Sequence, residues 1–368
     1  MLNVSLYRDP EIVKELIAEI RTLATRQWQV MEVCGGQTRA FLHSGIDELL
    51  SDVIKLHHGP GCPVCVTPTA FIDHAIAIAS EHPVILCLFG DMIRVPGSTS
   101  SLRSARARGG DIRVVYSPVE AVQLARDNPM TEVVFFGVGF ETTAPAVALA
   151  ILIAAGERLK NFSVLASHVL VPPALSAIME TPGTAVEGFL AAGHVCAVMG
   201  YREYATLAKK YRVPIVVTGF EPVDLLNGIR ACVIQLEAGQ CSVENQYHRA
   251  VFGEGNTRAQ QVIGEVFTVV SRNWRGLGQL ENSGLGIRAR YRNYDATSRF
   301  PLPIDEGEQP SECISGMVLI GKKKPTECPA FGIRCTPEHP LGATMVSDEG
   351  ACAAYYGMRQ GIATVEKK

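Results

Sequence analysis

Residues 133–168, VVFFGVGFETTAPAVALAILIAAGERLKNFSVLASH, read as strand, helix, strand. Val133–Gly137 and Ser163–His168 are near-continuous apolar runs, the pattern of strands buried on both faces of a parallel sheet. Ala144–Ala155 between them has the length and composition of a crossover helix. Further strands are expected at Val30–Cys34, Val84–Phe89, Ile112–Tyr116, Val195–Met199 and Pro214–Thr218. Helices are expected at Ala70–Ser80, Pro118–Asp127, Tyr201–Tyr211 and Val223–Gln235. This alternation predicts an α/β fold with right-handed crossovers. The strand count fits two successive, similar doubly wound parallel-sheet domains dividing near residue 130. An amphipathic helix precedes them at Pro10–Thr25, with Ile12, Leu16, Ile17 and Ile20 on one face. A helix is also expected at Thr257–Val270. Beyond Trp274 the chain turns rich in Gly, Pro and charge, with little periodicity.

With 368 residues, 47% of them hydrophobic, the chain can fill several cores. Its net charge of −3 excludes nucleic-acid or anionic-membrane binding driven by bulk charge. The longest apolar stretch, Ala146–Ala155, falls far short of the ~20 residues that span a bilayer. The start, MLNVSLYRDPEIVKEL, has no apolar signal region, so a cytoplasmic location is expected. Thiols stay reduced there, and 11 cysteines then point to metal, redox chemistry or buried thiols rather than a disulfide framework.

Cys62-Pro63-Val64-Cys65 follows Gly59-Pro60-Gly61. Such a pair can be half a zinc site, a redox dithiol or part of an iron site. The chain has no second C-x-x-C, and a helix is expected soon after, whose N-terminus favours thiolate. Both features favour a redox dithiol. Cys34 opens Gly35-Gly36-Gln37-Thr38, a loop in which the backbone can approach a ligand closely. A thiolate there can bind iron or serve as a nucleophile at a helix start. Cys313, Cys328, Cys335 and Cys352 are spaced by 15, 7 and 17, which suits zinc and a four-iron cluster equally. Cys87 and Cys196 lie within apolar runs and read as core thiols.

Asp91, Glu141 and Glu221 end apolar runs as Gly-Asp or Gly-Phe-Glu. Ligands collect beyond the carboxyl ends of such strands, though a carboxylate there can equally cap the next helix. Arg94 is a candidate anion clamp or a solvated loop residue. His57 and His58 precede the Gly-Pro-Gly turn and can lie near the dithiol, whereas His168 and His194 sit at strand edges. No P-loop, complete G-x-G-x-x-G, H-E-x-x-H or G-x-S-x-G occurs.

Six motifs, in order, carry a resemblance: Met31–Gly36, His58–Cys65, Phe135–Thr143, Gly219–Leu226, Val243–Tyr247 and Glu349–Tyr355. Together they closely resemble the HypD family of hydrogenase maturation factors, from about residue 30 to residue 357. The resemblance implies a redox scaffold in assembly of the Fe(CN)2CO unit of nickel-iron hydrogenase. It implies two similar α/β domains, at 29–130 and 131–240, and a smaller iron-sulfur cluster domain at 241–368 with which the N-terminal helix (1–28) would pack. Iron would be shared with a small HypC-type chaperone, and cyanide would come from a HypE-type donor. Cys34 would be the iron-site thiol and Cys62 with Cys65 the redox pair. Cys328, Cys335 and Cys352 would ligate a [4Fe-4S] cluster, with Cys313 the natural fourth ligand. Gly35, Gly36, Gln37, Asp91, Arg94, Glu141, His194 and Glu221 are further site candidates. Gln37 and Arg39 stand where members of the family often carry His, and Thr344 where some carry Cys. The competing expectations are a free-standing thiol-disulfide oxidoreductase carrying a cluster and a zinc-stabilised binding module.

Overall fold

The structure, a computed structural model, describes residues 4–302 and 312–365. Its strands are β1 (Trp28–Glu32), β2 (Ile54–His58), β3 (Val84–Leu88), β4 (Asp111–Val114), β5 (Glu132–Gly139), β6 (Phe162–Val169), β7 (Gly188–Ala192), β8 (Ile215–Thr218), β9 (Val243–Asn245), β10 (Phe267–Trp274) and β11 (Gly278–Ile287). They form two sheets. The first has the order β2-β1-β7-β8-β9 and is parallel throughout. The second has the order β10-β11-β6-β5-β3-β4; its β6-β5-β3-β4 part is parallel, and the β10-β11 hairpin adds antiparallel strands at one edge.

Both sheets are covered on both faces, which is why their strands carry apolar runs instead of alternating polar residues. In the first sheet Val30, Leu190 and Val216 face Phe41, Leu225, Leu226 and Ile229. The next residues along, Met31, Phe189, Ala191 and Val217, pack on the opposite side with Leu175, Ile178 and Tyr204. In the second sheet Val133, Phe135 and Val164 face the helix Ala144–Gly156, while Val134, Phe136 and Leu165 face the helix Thr69–Glu81. Each fully buried Val, Leu, Ile or Phe contributes about 1.5–3 kcal/mol.

Several sequence expectations need correction. A linear division near residue 130 does not follow the sheets. Residues 29–130 supply β1 and β2 to the first sheet and β3 and β4 to the second. Residues 131–240 are divided likewise, and β9, β10 and β11 of the stretch 241–368 belong to the two sheets and not to a separate cysteine-rich unit. The N-terminal helix, Pro10–Leu23, packs its Ile17 and Ile20 against the helix Pro222–Glu237 of the first sheet, not against the C-terminal segment. Its Glu19 pairs with Arg230 of that helix at 2.7 Å. Val195–Met199 is helical (Gly193–Met199), and the strand lies just before it in β7. A short apolar run bounded by glycines does not by itself distinguish the two states. The helix expected to reach Val270 ends at Val266, where Phe-Thr-Val-Val favours extended backbone and begins β10. Among the described residues no helix is long and apolar enough to cross a membrane.

Candidate metal and redox site

The carboxyl ends of β2, β1, β7 and β8 are neighbours in the first sheet, and a glycine lies within three residues of each. Cys34 follows β1 and stands at the N-terminus of the helix Gly35–Ser44. Its Sγ lies 3.6 Å from Nδ1 of His194, which begins the helix after β7. The His194 ring in turn rests 5.4 Å from Phe220 in the loop after β8. Burial lowers the His194 pKa to about 4, so the imidazole is neutral with a lone pair available. Burial, with the charges of Glu32 and Glu349, pushes the Cys34 thiol well above its ordinary range, although the N–H groups of Gly36 and Gln37 act in the opposite direction. Burial of this kind disfavours the bare thiolate, and a bound cation is the type of group that would offset it.

The loop after β2 lies back to back with the Cys34 loop. Gly59 N–H donates to Glu32 O and Gly35 N–H to Gly61 O, both at 2.8 Å. Gly61 is needed here because a Cβ on it would fall on the backbone of Cys34. Gly61→Ala should therefore force the two loops apart and cost about 1–3 kcal/mol or more, read as a lower urea midpoint; an unchanged midpoint would show that the loops slide freely. Cys62 caps the short helix Pro63–Val66 and is disulfide-bonded to Cys65. Both sulfurs are buried, at 3% and 1% exposure of their residues.

The C-terminal segment forms the far wall. A Cβ on Gly35 would meet Glu349 at 2.5 Å, and one on Gly350 would lie 3.0 Å from the Cys65 Sγ. The Cys65 Sγ is also 3.9 Å from the carbonyl of Ala343. Two residues after Gly350, Cys352 accepts a 3.2 Å hydrogen bond from Thr344 Oγ1. Thr344, which has no thiol to offer, thus orients a neighbouring one. Cys335 accepts the N–H of Leu341 at 3.4 Å, and Cys313 packs on Gly342. The Cys352 thiol is pushed up to about 12 by burial first and also by the charges of Cys313, Cys335 and Cys328. Thiols gathered in this way are the donor type that a cationic metal centre takes. Among the described residues no group of three or more His, Cys, Asp or Glu is disposed around a single metal ion. A mononuclear zinc needs all four sulfurs about 2.3 Å from one point, whereas each thiolate of a four-iron cluster has its own iron. Cys313 against Gly342, Cys335 on Leu341 and Cys352 on Thr344 gather about one segment, and thiolates are the donors that a four-iron cluster takes.

The other candidates are dispersed. Gln37 is buried; its Nε2 donates to Thr218 O at 3.1 Å and Ala191 O at 3.3 Å, tying the Cys34 helix to β7 and β8. Arg94 is half-buried against the C-terminal segment. It donates to the carbonyls of Val346, at 2.8 Å, and Pro337, at 3.3 Å, and so holds the C-terminal segment. Asp91 lies 4.0 Å from Arg94. Glu221 caps the helix Pro222–Glu237 and pairs with Arg8, which draws its pKa below the ordinary range. Glu141 does not cap the helix that follows it. Its Oε1 accepts the N–H of Val171 at 2.9 Å, at the start of the helix after β6.

Burial raises the pKa of Glu141 to about 7. The native state therefore holds a proton that the unfolded state releases between about pH 4.5 and 7, and stability should fall with rising pH across that window. Glu141→Gln should remove this part of the decline, about 3 kcal/mol at most, in urea unfolding at pH 5 and pH 8; an unaltered slope would mean that Glu141 is ionised in the folded chain.

One group escaped the sequence reading. Glu32, fully buried, accepts the N–H of Cys34 at 2.8 Å and the hydroxyl of Thr38, and meets Nδ1 of His58 at 2.8 Å. The available signal was an acid inside the apolar run Val30–Cys34.

A family model described as "HypD: Hydrogenase formation hypA family" matches residues 11–359. The chain is similar to the hydrogenase maturation factor HypD of Rhodobacter capsulatus, 47% identical over 97% of this chain and 98% of that protein. Its identity to the HypD factor of Escherichia coli K12 is 46%, over 98% of this chain and 99% of that protein. With the HypD factor of Azotobacter vinelandii it is 46% identical over the full length of both. A match of this extent makes the protein a member of the HypD family.

Proposed function

We propose that this chain acts in hydrogenase maturation as a redox scaffold on which the Fe(CN)2CO unit is assembled. Iron, the cargo, would be held by Cys34 together with a thiolate from a small HypC-type partner while cyanide, from a HypE-type donor, and CO are installed. The observation that carries this reading is the contact between the Cys34 and Cys62–Cys65 loops at the carboxyl ends of β1 and β2, beside His194. The pair would take up two electrons and two protons on reduction, becoming two thiols. Cys313, Cys328, Cys335 and Cys352 would hold a [4Fe-4S] cluster, which supplies single-electron exchange. The stretch from Thr344 to Cys352 touches Cys65 through Gly350 and ends at Cys352, which supports a link between the pair and the quartet.

Burial of both sulfurs of the pair weighs against a free-standing thiol-disulfide oxidoreductase, whose dithiol must be reached by a protein substrate. The test is anaerobic co-purification with the small partner, followed by metal analysis and infrared spectroscopy. Diatomic stretching bands on a partner-dependent iron are the expected result. An iron-free complex would overturn the assignment, and a colourless preparation would remove the cluster from it.

A further inference from the structure

We propose that Tyr355, His58 and Glu32 form a positioning chain that fixes the seat of Cys34 according to the placement of the cysteine-bearing C-terminal segment. The links are continuous and buried. The Cys34 N–H donates to Glu32 at 2.8 Å, Glu32 meets His58 Nδ1 at 2.8 Å, and His58 Nε2 lies 3.3 Å from the Tyr355 hydroxyl. Glu32 is fully buried, and His58 and Tyr355 are 4% and 5% exposed. One tautomer satisfies every atom. Nδ1–H of His58 donates to the carboxylate, and Nε2 accepts the Tyr355 O–H. Each member thus fixes the next, because a missing partner leaves a buried polar atom unpaired.

Tyr355 lies on the helix beginning at Ala351, one turn beyond Cys352. The segment just before that helix presses on Gly35 through Glu349 and on Cys65 through Gly350. Moving the quartet therefore moves Tyr355, and through His58 and Glu32 the backbone of Cys34. His58 and Tyr355 are positioning residues, since neither touches the Cys34 sulfur. The inference rests on Cys352 being anchored with its three companions, part of the function proposed above, and not on the partner or the iron cargo.

The test uses the full chain with the Cys62–Cys65 disulfide intact. The alkylation rate of Cys34 by iodoacetamide is followed by peptide mass spectrometry. Cys87, buried in the second sheet, serves as the internal control. Tyr355→Phe should raise the Cys34 rate about fivefold, the loss of roughly one hydrogen bond, and leave Cys87 unchanged. His58→Asn, which keeps a donor near Glu32 but cannot reach Tyr355, should do the same. Cys352→Ser should also raise it, and Tyr355→Phe/Cys352→Ser should add nothing beyond the larger single effect. The proposal fails if Tyr355→Phe leaves Cys34 unchanged, if Cys87 rises in parallel, or if the two effects multiply. Iron and sulfide content of the same samples separates the outcomes, because a wild-type chain without iron counts against the cluster and not against this coupling.

Discussion

Replacing Cys34 by Ala is expected to reduce the iron-diatomic infrared bands of the complex with the small partner to baseline. At the carboxyl ends of β1, β2, β7 and β8, Cys34 presents a sulfur outside the disulfide, and His194 offers a single neutral nitrogen 3.6 Å away. Imidazole alone is a poor substitute for a thiolate in holding iron that carries strongly bound diatomic ligands. The fold should tolerate the change, since Cys34 packs as a small buried side chain whose loss costs about 1 kcal/mol. A folded variant without bands separates loss of the iron seat from loss of structure. Bands that persist at wild-type intensity would take Cys34 out of the iron site.

Glu32→Ala should be the most destabilising single change in the first sheet, at about 3–5 kcal/mol. The fully buried carboxylate serves three partners: the Cys34 N–H, the Thr38 hydroxyl and His58. Removing it leaves all three buried and unpaired, each at a cost of about 1–3 kcal/mol before relaxation. Glu32→Gln should recover part of the loss, because the amide oxygen can still accept from Cys34 while its NH2 group faces the Thr38 and His58 donors. Urea unfolding of the three proteins decides the point. A midpoint for Glu32→Ala within about 1 kcal/mol of wild type would mean that the carboxylate holds nothing in place.

The strands were legible where chemistry and length left one reading. The run Val133–Val138 is apolar and β-branched or aromatic apart from Gly137, too short for a helix between its neighbours, and it is β5. The motif cysteines were legible because sulfur is rare and its spacing informative. Two kinds of information were not available locally. Sheet membership is a long-range property, so nothing within residues 28–58 shows that β1 will pair with Gly188–Ala192 and not with β3. Polar partners are long-range too. Arg94 looks like any loop arginine until Val346 and Pro337 are seen beside it. Glu32 looks like a misplaced acid until His58 and Tyr355 arrive from elsewhere.

The interleaving of the two sheets has a consequence for synthesis on the ribosome. β1 and β2 emerge early, but the next strand of their sheet, β7, follows only after the whole stretch 59–187 has been translated. At about 5–20 residues per second that is a wait on the order of ten seconds. During it the strand that leads into Cys34 has one bare edge and an uncovered apolar face, the form most exposed to aggregation. A nascent chain of this architecture has every reason to be met by a holding chaperone before its C-terminal cysteines have left the exit tunnel.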